Sequence, residues 1–287
     1  MTLQASSFPK RIEIELASSC NLKCSYCPRQ YLGTLKGFID FGLFKKIVDE
    51  ASQYPGTVIV LHRRGESMLH PAFNDILDYV AGKFKEVQMA TNATLLDDNK
   101  FEPIIKAVNF LSFSLDTPET YNRTRSPACY EVVEEKILKF LKFNKGRITT
   151  QASMVRIETT IDEEMELFKT IWKDRVDRVR IYEEHSVNGV FGAIRNPRKE
   201  RKPCVMPFYE LLIYDDGKVG RCNHDWNGDP MADANTSSIK KIWNNPKYQR
   251  LRNEHLNLQL TDPVCKGCDS WYPEIGVQGT GDVIERH

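Results

Sequence analysis

Along the chain, short runs that are wholly apolar or alternate polar with apolar take turns with longer runs whose apolar residues recur every three or four positions. Residues 11–16, Arg-Ile-Glu-Ile-Glu-Leu, alternate with period two and predict a strand. From Asp40 a helical face follows, with Phe41, Phe44, Ile47, Val48 and Ala51 on one side. Residues 57–61 predict a buried strand, and Pro71 suits the first turn of a helix that turns Phe73, Ile76, Leu77 and Val80 inward. The pairing then repeats. Strands are predicted at 86–90, 110–115, 147–155 and 176–182, and helices at 97–108 (interrupted by Pro103), at 131–143, and from a capping box at Thr160-Ile-Asp-Glu163 to Trp172. Six repeats in series predict an α/β fold with a parallel sheet and right-handed crossovers, a pattern met by a partial (β/α)6 barrel and equally by a doubly wound sheet.

The periodicity stops after the sixth strand. Residues 188–202 are rich in Gly, Pro, Asn and basic side chains and read as a linker. Residues 208–214, the turn Asp215-Asp-Gly217 and residues 218–221 form a hairpin signature. A helix is predicted over 238–251, with Ile239, Ile242, Trp243 and Leu251 on its apolar side. The expected organisation is therefore a barrel-like domain over 1–187, a linker over 188–202, and a small hairpin-plus-helix domain with a Gly-rich tail over 203–287.

Composition narrows the function classes. Forty basic and thirty-nine acidic side chains nearly cancel, so charge gives no support for nucleic acid or an anionic membrane as partner. No apolar run reaches the ~20 residues of a membrane span. The N-terminus lacks a basic start and an apolar stretch, which predicts a cytoplasmic protein. In that setting the eight cysteines read as metal ligands rather than disulfides.

Three of them stand in one loop, Cys20-Asn-Leu-Lys-Cys24-Ser-Tyr-Cys27, directly after the first strand. Three closely spaced thiolates can hold three corners of a [4Fe–4S] cluster, which ordinarily takes four cysteines, and the fourth iron is then open to another ligand. The alternative, a structural zinc site, ordinarily pairs C-x2-C units with a further ligand pair, and this loop lacks one. Ligands of parallel α/β sheets bind at the carboxyl ends of the strands. His62-Arg63-Arg64-Gly65-Glu66, Thr91-Asn92, Ser114 with Asp116, and Tyr182-Glu183-Glu184-His185 all fall at such ends.

With these residues in place, the chain resembles the radical S-adenosylmethionine (SAM) superfamily over roughly residues 10 to 185. The resemblance implies that the open iron binds the amino and carboxylate groups of SAM, whose reductive cleavage gives a 5′-deoxyadenosyl radical. It also implies an external one-electron reductant such as flavodoxin or ferredoxin. Gly65-Glu66 matches the end of the family's GGE motif, with Arg64 standing where the first glycine is expected. Tyr26 matches an aromatic near the adenine, Thr91-Asn92-Ala93 resembles the family's Thr-Asn-Gly, and Ser114 and Asp116 fall on the ribose side.

Cys204, Cys222, Cys265 and Cys268 form the second set. By spacing alone they suit zinc or a fully ligated [4Fe–4S] cluster equally. Their context resembles twitch, the shortened SPASM domain, which implies one auxiliary cluster. A nearby oxidised cluster can accept the electron left when a carbinol carbon loses hydrogen, and the expected activity is oxidation of a sugar, aminocyclitol or nucleotide-sugar-like molecule. Epimerisation is the variant in which a thiol returns a hydrogen atom. Cys129, the one cysteine outside both sets, is the candidate donor, or else a small buried apolar residue. His62, Tyr182, Glu184 and His185 are candidate bases for a substrate hydroxyl. Arg63, Arg64, Arg123, Arg125 and Arg195 are candidate anion binders, or a rim paired with nearby acids. Two other functions stay open: a radical SAM enzyme that modifies peptides or proteins, and a non-catalytic iron–sulfur electron-transfer or zinc-binding protein.

Overall fold

The structure, a computed structural model, describes residues 3–33, 35–184, 200–226, 228–268, 271 and the backbone of 283–285. Six strands follow one another as predicted, β1 (Arg11–Ile14), β2 (Val58–Val60), β3 (Val87–Thr91), β4 (Phe110–Ser114), β5 (Thr149–Arg156) and β6 (Arg178–Glu183). They pair parallel in chain order. Between them run α1 (Phe41–Ser52), α2 (Phe73–Val80), α3 (Asp98–Ala107), α4 (Pro118–Thr124), α5 (Tyr130–Asn144) and α6 (Asp162–Trp172). The short α4 has no counterpart in the sequence reading.

Local chemistry sets the helix ends. The Asp40 carboxylate caps α1 by accepting from the Leu43 amide at 2.8 Å. Pro103 sits inside α3, where it removes one amide donor. The Asn99 carbonyl that would have accepted it takes the Asn74 side-chain amide at 3.4 Å instead. At α6 the predicted capping box is displaced by one residue, with Glu164 accepting from the Ile161 amide at 3.2 Å. Thr160 is occupied otherwise, accepting from the Ile157 amide at 3.0 Å.

The C-terminal part does not fold as a separate sheet. After a single turn of helix, α7 (Met206–Tyr209), strand β7 (Glu210–Ile213) pairs parallel with β1, from Arg11 opposite Glu210 to Ile14 opposite Ile213. The hairpin partner β8 (Lys218–Gly220) and β9 (Ala232–Asp233) continue the sheet antiparallel. At the other edge β10 (Val283–Glu285) pairs antiparallel with β6. Among the described residues this gives one open ten-stranded sheet, β10-β6-β5-β4-β3-β2-β1-β7-β8-β9. The single helix predicted over 238–251 is two, α8 (Ile239–Trp243) and α9 (Pro246–Asn257), because Asn244-Asn245-Pro246 ends one and caps the next. A last turn, α10 (Pro263–Lys266), carries Cys265. No helix among the described residues is long and apolar enough to cross a membrane.

The two sheet faces differ. Ile12, Ile14, Ile59, Met89, Leu111, Phe113, Ala152 and Ile181 pack against helix residues such as Phe44, Ile76, Phe140, Phe168 and Trp172 in one continuous core. Burying each large apolar side chain there stabilises the fold by about 1.5–3 kcal/mol. The alternate strand positions are polar and bonded to one another. Arg11 donates to Gln88 (2.6 Å) and Glu210 (3.0 Å), Gln151 to Ser112 (3.0 Å), Ser112 and Ser153 lie 3.2 Å apart, and Gln151 reaches Tyr182 at 3.5 Å. The inner wall of the open barrel is thus a hydrogen-bonding surface.

Candidate active site

The three-cysteine loop leaves the end of β1 and is anchored from two sides. Its Lys23 and Ser25 amides donate to the carbonyls of Ser126 (2.8 Å), just after α4, and Thr124 (2.9 Å), its last residue. Asn21 donates to Thr94 at 2.7 Å, and Asn92 donates to Asn21 at 3.0 Å and approaches the Cys20 sulfur at 3.9 Å. The Leu22 amide reaches the same sulfur at 3.5 Å. Asn21 and Thr94 were not singled out from the sequence; only their nearness to Cys20 and Asn92 could have drawn attention to them.

Burial raises all three thiols, Cys24 to about 11, and neighbouring cysteines push in the same direction for Cys20 and Cys24. Bare thiolates are disfavoured in this loop, so it suits a group whose own positive charge holds the sulfurs ionised, as bound iron does. Among the described residues no three His, Cys, Asp or Glu side chains converge as ligands of a single metal ion. Gly65 fits the same picture. A Cβ there would lie 2.3 Å from the Ala17 carbonyl oxygen and 2.2 Å from that of Ser19, so the backbone lies directly on the segment leading to Cys20.

Glu66 is a buried strut. Its amide donates to Ser19 (2.8 Å), and its carboxylate accepts from the Asn92 amide (2.8 Å), Thr91 (2.9 Å) and the Met68 amide (3.2 Å). Burial raises its pKa and these bonds oppose the shift. Asp116 is also engaged, with Arg125 at 2.6 Å and the Tyr26 hydroxyl at 3.0 Å on one carboxylate oxygen. Ser114 ends β4 half-buried, opposite Ser153.

The arginines expected to bind a substrate anion are largely engaged by protein. Arg64 makes a two-pronged pair with Glu15 (2.8 and 2.6 Å), donates to the Trp226 carbonyl at 3.1 Å and stacks on Tyr214. Glu15 is fully buried, and the planar guanidinium of Arg64 meets both of its carboxylate oxygens, which gives an arginine a role where the family motif has glycine. Arg63 donates to the Asp225 carbonyl at 2.8 Å and stacks on Trp226. Arg125 is held by Asp116 and the Leu115 carbonyl. Among the described candidates only Arg123 is largely solvent-facing, 4.0 Å from Glu119. Arg195 and His185 lie outside the described residues.

Of the candidate bases, His62 accepts from the Ala90 amide at 3.1 Å, and burial followed by the Arg11 and Arg63 charges pushes it down to about 3. Tyr182 and Glu184 stand at the end of β6, the first within reach of Gln151. Cys129 is not a buried apolar residue. It is exposed at the start of α5, its thiol donating to Glu131 at 2.8 Å.

Glu13 was missed, although Arg11, Glu13 and Glu15 alternating with apolar residues signalled a polar inner face. Burial, with Glu210 adding, raises it to about 8 despite Arg63 and Arg11. The Arg63 Nε lies 3.5 Å away without hydrogen-bond geometry, in keeping with a neutral carboxyl. The folded chain holds a proton that the unfolded chain, near 4.5, releases, so this contribution to stability is full below pH 4.5 and is lost as pH rises through about 8. Thermal unfolding of Glu13→Gln should therefore depend less on pH between 5 and 8 than that of the parent; equal slopes would show that Glu13 is not the group responsible.

The second cysteine set surrounds a cavity at the far end of the β7–β8 hairpin. Cys204, Cys222, Cys265 and Cys268 line it with Arg201, His255 and Trp271. Burial, reinforced by the other three cysteines, raises Cys222 well above the usual thiol range. Arg201 clasps the carbonyls of Cys268 (2.7 Å) and Cys265 (3.1 Å). Burial and the Arg201 charge push His255 down to about 4. Four thiols around one enclosed space match the donor set of a fully ligated cluster. The two cysteine regions are joined through the hairpin turn, where Asp215 accepts from Ser18 at 2.8 Å.

Comparison with known proteins agrees with this anatomy. Residues 14–181 match the Radical SAM superfamily, and residues 204–269 match SPASM, an iron-sulfur cluster-binding domain. A tungsten-containing aldehyde ferredoxin oxidoreductase cofactor-modifying protein of Pyrococcus furiosus is 30% identical over 159 residues, 54% of this chain and 44% of that protein. The antilisterial bacteriocin subtilosin biosynthesis protein AlbA of Bacillus subtilis is 36% identical over 94 residues, 33% of this chain and 21% of that protein. The chain thus spans less than half the length of either relative. BtrN in complex with AdoMet and 2-DOIA superposes with a TM-score of 0.63 at 17% identity, covering 94% of both chains. Streptococcus suis SuiB bound to its precursor peptide SuiA superposes with a TM-score of 0.71 at 12% identity, covering 96% of this chain and 77% of SuiB. At such identities the likeness to both is one of fold. The two matched domains bring a [4Fe–4S] cluster with SAM and an auxiliary iron–sulfur cluster, and the chain belongs to the radical SAM superfamily.

Proposed function

We propose that this radical SAM enzyme oxidises a carbinol C–H of a polyhydroxylated small molecule of the sugar, aminocyclitol or nucleotide-sugar type. The observation that carries the reading is the inner barrel wall, where Gln88, Ser112, Gln151, Ser153 and Tyr182 offer donors and acceptors suited to hydroxyl groups. In this reading Cys20, Cys24 and Cys27 hold the cluster that takes SAM, and Cys204, Cys222, Cys265 and Cys268 hold the auxiliary cluster. When bound, these groups supply a carbon-centred hydrogen-atom acceptor and a one-electron sink.

The chain's own residues position the chemistry. Gly65, the Tyr26 ring and Ser114 border the SAM side, while Glu66, Asn92 and Asp116 fix the loop and strand ends through bonds to protein. Tyr182 and Glu184 are the proton acceptors this reading favours among the described residues. A neutral His62, with one ring nitrogen already bonded to an amide, is a poor one. An exposed Cys129 thiol is poorly shielded for returning a hydrogen atom, which favours oxidation over epimerisation. A flavodoxin- or ferredoxin-type reductant and a cytoplasmic setting belong to the same proposal.

The likeness to SuiB with its peptide and the match to AlbA support a second reading, in which the substrate is a peptide. The two separate in one experiment. Anaerobic enzyme with SAM and reductant is given polyols and aminocyclitols deuterated at carbinol carbon, or deuterated peptides. The first reading expects deuterium in 5′-deoxyadenosine and one carbonyl product per SAM with the polyols. Label transferred from peptides alone would overturn it in favour of the second.

A further inference from the structure

The wall of the four-cysteine cavity carries two buried nitrogen donors that have no partner among the described residues. His255 lies on the inward face of α9 and is 1% exposed. Its Nδ1 accepts the Cys204 amide at 3.3 Å. A ring nitrogen that accepts carries no proton, so the neutral imidazole bears its hydrogen on Nε2. That Nε2 is buried and has no hydrogen-bond partner. The second donor is the Arg201 Nε, likewise buried and without a partner, although the two terminal nitrogens of the same guanidinium are spent on Cys268 and Cys265 carbonyls. A buried donor left unsatisfied forfeits its bonds to water without replacement, which destabilises the fold. Two such donors on one cavity wall, among four thiols, call for an acceptor inside the cavity.

We propose that the Nε2–H of His255 and the Nε–H of Arg201 donate hydrogen bonds to sulfur of the auxiliary cluster and raise its reduction potential. Hydrogen bonds to cluster sulfur stabilise the reduced, more negative state, and net charge and solvent exposure act alongside them. Both donors are fixed before any group binds: the imidazole by the Cys204 amide, the guanidinium by two carbonyls. The proposal rests on the reading of this cysteine set as a cluster site. It adds that the cluster is tuned toward accepting electrons, as an oxidation of substrate requires.

The test is a redox titration followed by EPR, on the full chain with Cys20, Cys24 and Cys27 changed to alanine so that one cluster remains. His255→Asn keeps an acceptor near Nδ1 for the Cys204 amide and removes the donor at Nε2. His255→Gln keeps a donor near Nε2 and gives up the Nδ1 acceptor. The expected result is an approximately tenfold loss in the equilibrium constant for reduction in His255→Asn, about 59 mV for a one-electron couple, and less than half of that shift in His255→Gln. An unchanged potential in His255→Asn, or equal falls in both variants, overturns the proposal, the latter by showing that only the support of Cys204 matters. Parent protein that binds no iron–sulfur cluster at the second set would instead defeat the underlying reading. Should His255→Asn fail to retain a cluster, pulsed EPR decides: protein labelled with 15N-histidine, carrying His224→Asn to remove the other cavity histidine, should show a weak 15N coupling to the reduced cluster, and its absence overturns the proposal.

Discussion

Replacing Cys24 by alanine is expected to remove about half of the iron from anaerobically reconstituted protein and to bring SAM cleavage down to background. Two cubanes account for about eight iron atoms per chain, and losing one leaves about four. The loop offers no substitute thiol: the cysteines outside it are Cys129, exposed and turned to Glu131, and the four around the second cavity. The backbone of the loop should survive, because its anchors are the amides of Lys23 and Ser25 and the Asn21–Thr94 bond, none of which involves a cysteine side chain. Loss of activity would then report the missing ligand rather than unfolding. Iron analysis together with chromatographic detection of 5′-deoxyadenosine checks this. Full iron with cleavage within tenfold of the parent would show that Cys24 is not a ligand.

The largest stability effect is expected at Arg64. Changing it to glycine restores the family's GGE pattern, and by motif alone the change looks benign. The structure says otherwise. Arg64 neutralises Glu15, which is 0% exposed, through two short bonds, and it ties the barrel to the hairpin through the Trp226 carbonyl, Asp215 and the Tyr214 ring. Removing one partner of a buried pair strands the other charge, at a cost of about 3–5 kcal/mol. For a chain of this size that corresponds to a fall of roughly 6–20 °C in Tm. Adding Glu15→Gln removes the stranded charge and should recover at least half of the loss. A single variant within 2 °C of the parent, or a double variant no better than the single, would show that the pair does not stabilise the fold in this way.

The strand and helix order was legible because period two and period 3.6 differ over even a few residues, as in 11–16 against 41–51. The cysteine triad was legible because all three donors lie within eight residues. Pairings between distant segments were not. Nothing local to Glu210–Ile213 signals that this strand lies beside Arg11–Ile14. The arginines show the same limit. Sequence displays the charges of Arg63, Arg64 and Arg125 but not the buried carboxylates and carbonyls that take them up. Nor does it reveal that Asp116 serves Arg125 and Tyr26. Cys129 was expected to be buried on general grounds, yet it is the exposed residue just before α5, with its thiol donating to Glu131.

The most direct measurement is low-temperature EPR of anaerobically reduced protein carrying Cys265→Ala and Cys268→Ala, so that the signal of the loop cluster stands alone, recorded with and without SAM. If Cys20, Cys24 and Cys27 leave one iron open for SAM, adding it should shift the g-values of the reduced centre. Superimposable spectra at saturating SAM, from protein holding about four iron atoms per chain, would mean that no iron is open and that this loop does not perform the chemistry assigned to it.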